Sequence, residues 1–267
     1  CANGATYQVA PLVFSKLGLN PIFIASSPDG LNINKDCGST NLGFLRERIA
    51  QEKADIGIAF DGDGDRVCLV DHQGRFIDGD DILYLLATDS LKRGEEFGGV
   101  VGTHMTNMAF ELAFRDKGIP FFRADVGDRN VIRAMKERGW SLGGEGWGHI
   151  LNLKKTTTGD GLITALQMLE IINRKKKSLA EIGNAVQKYP QILKNIRCRD
   201  PESLVANHAF CAEILSCRGR LGEKGRILVR KSGTESLVRI MVEGQNSQEV
   251  ESIGGYLELV AVSIRQF

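Results

Sequence analysis

The stretch FDGDGDR at residues 60–66 sets carboxylates at Asp61, Asp63 and Asp65, every second position, with glycines between them. Glycine removes side-chain bulk and lets the backbone curl, so the three acids can converge on one point. Converging carboxylates repel one another unless a cation neutralises them. Hard oxygen ligands select Mg²⁺ or Ca²⁺ over softer metals. An EF-hand is excluded by position: counting from Asp61, the sixth residue is Arg66 where that loop needs glycine, and the twelfth is His72 where it needs glutamate. The bland alternative is a polar Asp-Gly turn between two strands. Mg²⁺ keeps coordination positions open for a substrate phosphate, and the guanidinium of Arg66 matches phosphate oxygens. The chemistry expected is therefore a metal loop acting on phosphate.

Two further loops carry polar groups on glycine-rich backbone. GGEGWGHI at 143–150 surrounds Glu145 and His149 with glycines, so that a carboxylate and an imidazole can meet a polar ligand such as a sugar. It does not fit the dinucleotide-binding fingerprint, whose third glycine falls at His149. RKSGTES at 230–236 joins two strand-like runs and offers the hydroxyls of Ser232 and Thr234, the backbone of Gly233 and the charges of Arg230, Lys231 and Arg239, an anion cradle without P-loop order. VGDRN at 126–130 puts Arg129 at the start of a helix, where anions are favoured. An exposed glycine turn, an ordinary hairpin loop and a surface arginine are the plain alternatives for these three.

The elements that must position these loops alternate in type. Helical stripes run over 7–17, 41–53, 80–93, 107–118, 128–139 and 159–173, and β-like runs over 21–25 (PIFIA), 54–60, 66–71, 98–103 and 120–126. The alternation predicts an α/β fold, mixed sheet-and-helix layers over the first two domains, with a largely parallel sheet where strand and helix repeat from residue 80 onward. The last block reads strand, helix over 203–218, two strands around a polar turn, then a closing helix, a small C-terminal α+β domain. Domain spans of 1–74, 75–188 and 189–267 are expected.

Composition narrows the class. Among 267 residues, 34 Lys plus Arg balance 33 Asp plus Glu for a net charge of +1, and 42% are apolar. That excludes intrinsic disorder and a chain-wide nucleic-acid footprint. No apolar run is long enough to span a membrane. Six scattered cysteines without CxxC or zinc spacing are expected as free thiols in a reducing cytoplasm. The opening CANGATYQVAP has no initiator Met and reads as an internal point of a longer protein.

FDGDGDR, GEGWGH and RKSGTES, in this order along essentially the whole chain, resemble the metal, sugar-binding and phosphate-binding loops of the α-D-phosphohexomutase superfamily. CANGAT, VGDRN and KTTTGDG (155–161) most resemble its bacterial phosphoglucosamine mutase branch. The resemblance implies four domains, of which this chain holds the end of the second, the third and the fourth. It implies Mg²⁺ on Asp61, Asp63 and Asp65, and catalytic roles for Arg66 and Arg129. Substrate contacts fall to Gly127, Glu145 and His149, and a phosphate grip to Arg230, Ser232, Gly233, Thr234 and Arg239. The implied reaction interconverts glucosamine 6-phosphate and glucosamine 1-phosphate through a phosphoserine and a bisphosphate intermediate, on the way to the cell-wall precursor UDP-N-acetylglucosamine, in the cytoplasm. The phosphorylated serine belongs to the family's first domain and has no counterpart motif here, so this chain is expected to be inactive alone and to work with that domain as its partner. Two residues depart from the pattern: Trp147 stands where the family has Ser, and Ser236 where it has Pro. The rival readings are a sister mutase acting on mannose or glucose phosphates, and a non-catalytic fragment that binds metal and phosphosugar.

Overall fold

The computed structural model describes residues 1–233 and 235–264. The chain divides into two compact units, residues 1–106 with 110–186, and residues 107–109 with 187–267. The elements of the first part are α1 (Thr6–Ser15), α2 (Gly43–Glu52), β1 (Ile56–Phe60), β2 (Val67–Asp71), β3 (Phe76–Ile77), α3 (Gly79–Lys92), β4 (Val100–Thr103), α4 (Met108–Asp116), β5 (Phe121–Ala124), α5 (Asp128–Arg138), β6 (Leu142–Gly144), β7 (Ile150–Asn152), α6 (Gly161–Lys175) and α7 (Leu179–Ile182). A three-stranded antiparallel sheet runs β1-β2-β3, and a four-stranded sheet runs β5-β4-β6-β7. In the second sheet β4 pairs parallel with β5 and β6, while β7 pairs antiparallel with β6.

The mixed α/β class is observed, and the four-stranded sheet is largely parallel as expected, two of its three pairings being parallel; the three-stranded sheet before it is antiparallel throughout. Parallel neighbours need a crossover of a dozen residues or more, whereas short loops give antiparallel ones. Only the stretch from β4 to β6 has helical crossovers; β1–β2 and β6–β7 are joined by short loops. PIFIA at 21–25 forms no strand. Pro21 carries no N–H for a ladder, and the carbonyl of Ala25 accepts from the backbone N–H of Asn3 at 2.6 Å, from a turn.

Local signals explain the helices beside the loops. Asp78 caps α3 in a reciprocal capping box, accepting from the N–H groups of Asp80 (3.0 Å) and Asp81 (3.2 Å), while Asp81 Oδ2 accepts from Asp78 N–H at 3.1 Å. Asp160 Oδ1 accepts from Ile163 N–H at 2.9 Å and starts α6. Leu69, Ile82, Leu86, Phe110, Phe114 and Met168 lie in one buried core that α3 and α6 share with the sheets.

The second part holds β8 (Gln191–Arg197), α8 (Pro201–Ala206), α9 (His208–Leu221), β9 (Gly225–Lys231), β10 (Leu237–Gly244) and α10 (Ser247–Ile264). Its antiparallel sheet runs β8-β10-β9. Val238, Ile240 and Val242, at the strand period, meet Val250, Ile253, Leu257 and Ala261, at the helix period, in its core. The single helix expected over 203–218 is two, because Asn207 turns extended and its Oδ1 caps α9 at Phe210 N–H, 3.1 Å away. Among the described residues no helix is long and apolar enough to cross a membrane, and none of the six cysteines forms a disulfide.

Candidate active site

Three loops singled out for their chemistry occupy equivalent places: each is the tip of an antiparallel hairpin. Phe60 pairs with Val67, so residues 61–66 join β1 to β2. Gly144 pairs with Ile150, so 145–149 join β6 to β7. Lys231 pairs with Val238 across the RKSGTES turn. A tip carries side chains outside the ladder, where they are not committed to sheet packing.

At the first tip, Asp61, Asp63 and Asp65 each offer a carboxylate oxygen, and these oxygens lie within 4.8 Å of one another. Arg66 Nε is 3.7 Å from both Asp61 Oδ2 and Asp65 Oδ1, and its backbone N–H donates to Asp61 Oδ1 at 3.1 Å. Burial, and then the neighbouring carboxylates of Asp63 and Asp65, push the Asp61 carboxyl up from the ordinary 3.8 to about 6, against the opposing pull of the Arg66 N–H. Asp65 Oδ1 and Arg66 Nε are buried and have no hydrogen-bond partner among the described residues. Three carboxylates offering hard oxygens within 4.8 Å of one another, one of them with a buried oxygen that has no hydrogen bond among the described residues, are a donor set that fits a divalent cation such as Mg²⁺.

Neighbouring segments brace this tip. Ala5 N–H donates to Gly62 O at 2.7 Å, and Gly161 N–H donates to Gly64 O at 2.9 Å. At both braces the backbones approach too closely for a side chain: a Cβ on Gly4 falls 2.1 Å from Gly62 O, and one on Gly161 falls 2.5 Å from Arg66 O. CANGAT and KTTTGDG thus support the metal loop directly. In sequence they stand out only as motifs of a resemblance, because nothing in their composition reports where they pack.

At the second tip, Glu145 Oε1 accepts from Gly127 N–H at 2.8 Å, bringing together two residues expected at the sugar. The turn is tied to β2 by Val67 N–H donating to Gly148 O at 3.0 Å, and to α3 by Gly79 N–H donating to Gly146 O at 2.8 Å. His149 differs from expectation. It is 4% exposed and its Nδ1 lies 2.9 Å from Asp65 Oδ2. The ring is turned into the protein against the metal loop. Trp147 is 57% exposed, so the bulky departure from the family pattern points outward and does not fill the loop. Arg129 is exposed in the first turn of α5, and its guanidinium has no partner among the described residues.

In the other unit, Arg230 and Arg239 are directly opposed across β9 and β10. Like charges so placed cost stability unless an anion sits between them. Arg239 Nε is buried without a partner, although the guanidinium also approaches Glu235 Oε2 at 3.4 Å. Ser232 N–H donates to Leu237 O at 2.9 Å to close the turn. Gly233 is exposed; Thr234 lies outside the described residues.

Known proteins align with the chain from end to end. Family models described as phosphoglucomutase/phosphomannomutase match in series: alpha/beta/alpha domain II over residues 1–74, alpha/beta/alpha domain III over 78–189, and the C-terminal domain over 193–255. The phosphoglucosamine mutase of Cronobacter sakazakii is 51% identical over 254 residues, covering 94% of this chain and 56% of that protein. That of Hydrogenovibrio crunogenus is 49% identical over 261 residues, covering 97% and 58%. The chain therefore spans a little over half the length of these relatives. Among solved structures, a phosphoglucomutase/phosphomannomutase family protein from Burkholderia thailandensis matches with a TM-score of 0.80 at 21% identity, over 100% of this chain and 59% of that one. The Aspergillus fumigatus N-acetylphosphoglucosamine mutase, solved with GlcNAc-6P and magnesium, matches with a TM-score of 0.77 at 21% identity, over 95% and 62%. At that identity the structures speak for the fold, while the three consecutive family models and the relatives near 50% identity speak for descent: the chain belongs to the phosphoglucomutase/phosphomannomutase family, the α-D-phosphohexomutases.

Proposed function

We propose that this chain supplies the metal, sugar and phosphate sites of a phosphoglucosamine mutase, which interconverts glucosamine 6-phosphate and glucosamine 1-phosphate. The observation that carries the reading is the convergence of Asp61, Asp63 and Asp65 at a braced hairpin tip, in a chain about half identical to phosphoglucosamine mutases. Asp61, Asp63 and Asp65 would hold Mg²⁺, which when bound supplies Lewis-acid stabilisation of negative charge on a transferring phosphoryl group. Arg66, beside them, would pair with an oxygen of the same group, a reading supported by its 3.7 Å approach to Asp61 and Asp65.

Glu145 has one carboxylate oxygen fixed by Gly127 and the other without a hydrogen bond among the described residues, ready to accept from sugar hydroxyls. Arg129 adds a cation from the start of α5. The Arg230–Arg239 pair, with Ser232 and Gly233, grips the phosphate that is not reacting; Thr234 is assigned to the same grip from the sequence alone. Domain spans of 1–74, 75–188 and 189–267 assign the metal, sugar and phosphate loops to one domain each, a division supported by the three matched spans. The phosphoserine that exchanges phosphate with the sugar is assigned to a segment outside these residues, so the chain alone binds without turnover.

Calorimetric titration of the 267-residue chain in Mg²⁺ tests this. Glucosamine 6-phosphate is expected to bind more tightly than mannose 6-phosphate. Absence of binding contradicts the assignment, and preference for the mannose phosphate transfers the chain to a sister mutase.

A further inference from the structure

His149 is expected from the sequence to touch substrate, yet the structure gives it another neighbour. Its Nδ1 lies 2.9 Å from Asp65 Oδ2, and the residue is 4% exposed. With the ring proton on Nδ1, facing that carboxylate, Nε2 becomes the acceptor nitrogen. That Nε2 is buried and has no partner among the described residues. Its surroundings show why: a Cβ on Gly159 would lie 2.4 Å from Nε2 and 2.6 Å from Cε1, so the ring is seated on the bare backbone of the KTTTGDG segment. One edge of the imidazole thus rests on Gly159 and the other addresses Asp65. The backbone bond from Val67 to Gly148 holds the two hairpin tips together next to this contact.

We infer that His149 is a positioning residue for the metal loop: its Nδ1–H fixes Asp65 through Oδ2 and leaves Oδ1 as the oxygen for the cation, with Gly159 as the seat of the ring. Asp65 Oδ1 is the buried oxygen without a hydrogen bond. The inference deepens the metal assignment proposed above and rests on it. Outer partners that orient a metal ligand characteristically matter to affinity almost as much as the ligand does, and losing one costs about 10- to 100-fold.

The test uses the position of the donor. The amide nitrogen of His149→Asn can stand where Nδ1 stands, whereas that of His149→Gln reaches toward Nε2; His149→Leu has no donor. Mg²⁺ is titrated calorimetrically into the metal-free full chain of each, and thermal unfolding in chelator reports folding separately. The expected result is near wild-type affinity in His149→Asn, and affinity about 10- to 100-fold weaker in His149→Gln and His149→Leu. Gly159→Ala, which displaces the ring, should weaken binding in the same direction. Wild-type affinity in all the His149 variants, equal losses in the Asn and Gln variants, or failure of all three to fold would overturn the inference, the last by making His149 a packing residue. If the wild-type chain takes up no Mg²⁺, the metal assignment itself fails and this inference fails with it.

Discussion

The metal-loop hairpin and the phosphate-loop hairpin have the same topology but different support. Residues 61–66 receive backbone hydrogen bonds from Ala5 and Gly161 and the His149 contact on Asp65, and the supporting glycines have no room for a methyl group. The RKSGTES turn closes on itself through Ser232 and Leu237, and a Cβ on Gly233 would meet nothing within 4 Å. On the roles proposed above, the difference matches the charge each loop would handle. Three like-charged carboxylates spread apart unless the surrounding structure forces them together, so a cation site has to be built in advance. Two arginines on paired strands are already held by the ladder, and only need an anion to relieve their repulsion.

Removing a ligand should break the comparison most severely. Asp63→Asn is expected to weaken Mg²⁺ binding at least about 100-fold, beyond the cost of losing an outer partner; calorimetry measures it, and unchanged affinity would remove Asp63 from the site. Bracing comes next. Gly161→Ala forces a methyl against Arg66 O and should cost about 1–3 kcal/mol in denaturant unfolding. Gly233→Ala, in open space, should stay within about 0.5 kcal/mol of wild type. Similar costs at the two glycines would erase the distinction.

Acidity sharpens it further. The metal-free Asp61 carboxyl titrates at about 6, above its ordinary 3.8. A carboxyl raised on folding destabilises the folded state, fully above the folded value and not at all below the unfolded one. Metal-free protein should therefore gain stability through this group as pH falls from 7 toward 4. Mg²⁺ affinity should fall about tenfold for each pH unit below about 6, as protons compete for the site. Affinity independent of pH between 5 and 7 (an experimental range of about two units) would contradict the raised value.

The smallest effects belong to the anion site and to Trp147. Without phosphate, Arg239→Gln should leave stability unchanged or raise it by about 0.2–1 kcal/mol, because a like-charge pair is relieved, while abolishing the thermal shift that inorganic phosphate gives wild type. A clear loss of stability in phosphate-free buffer would make the arginine pair structural. Trp147→Ser, at a side chain facing solvent, should change unfolding by less than about 0.5 kcal/mol and leave glucosamine 6-phosphate affinity the same or better. A large loss of affinity would make the indole a sugar contact.

The loops were legible in sequence because their chemistry is local. Alternating Asp and Gly, or Ser-Gly between basic strands, is visible in the chain wherever it folds, and the helices beside the loops announce their caps at Asp78 and Asp160. What packs behind a loop is not local. His149 reads as a ligand in a glycine-rich loop; only the pairing of β6 with β7, and the approach of Gly159, turns its ring toward Asp65. PIFIA shows the same limit, since an apolar run becomes a strand only if a neighbour completes its ladder.

The most direct test is crystallographic: crystals of the chain soaked in Mn²⁺, an anomalous stand-in for Mg²⁺. An anomalous peak bounded by oxygens of Asp61, Asp63 and Asp65, with His149 still on Asp65, is the predicted result. Carboxylates turned apart with no peak between them would contradict it.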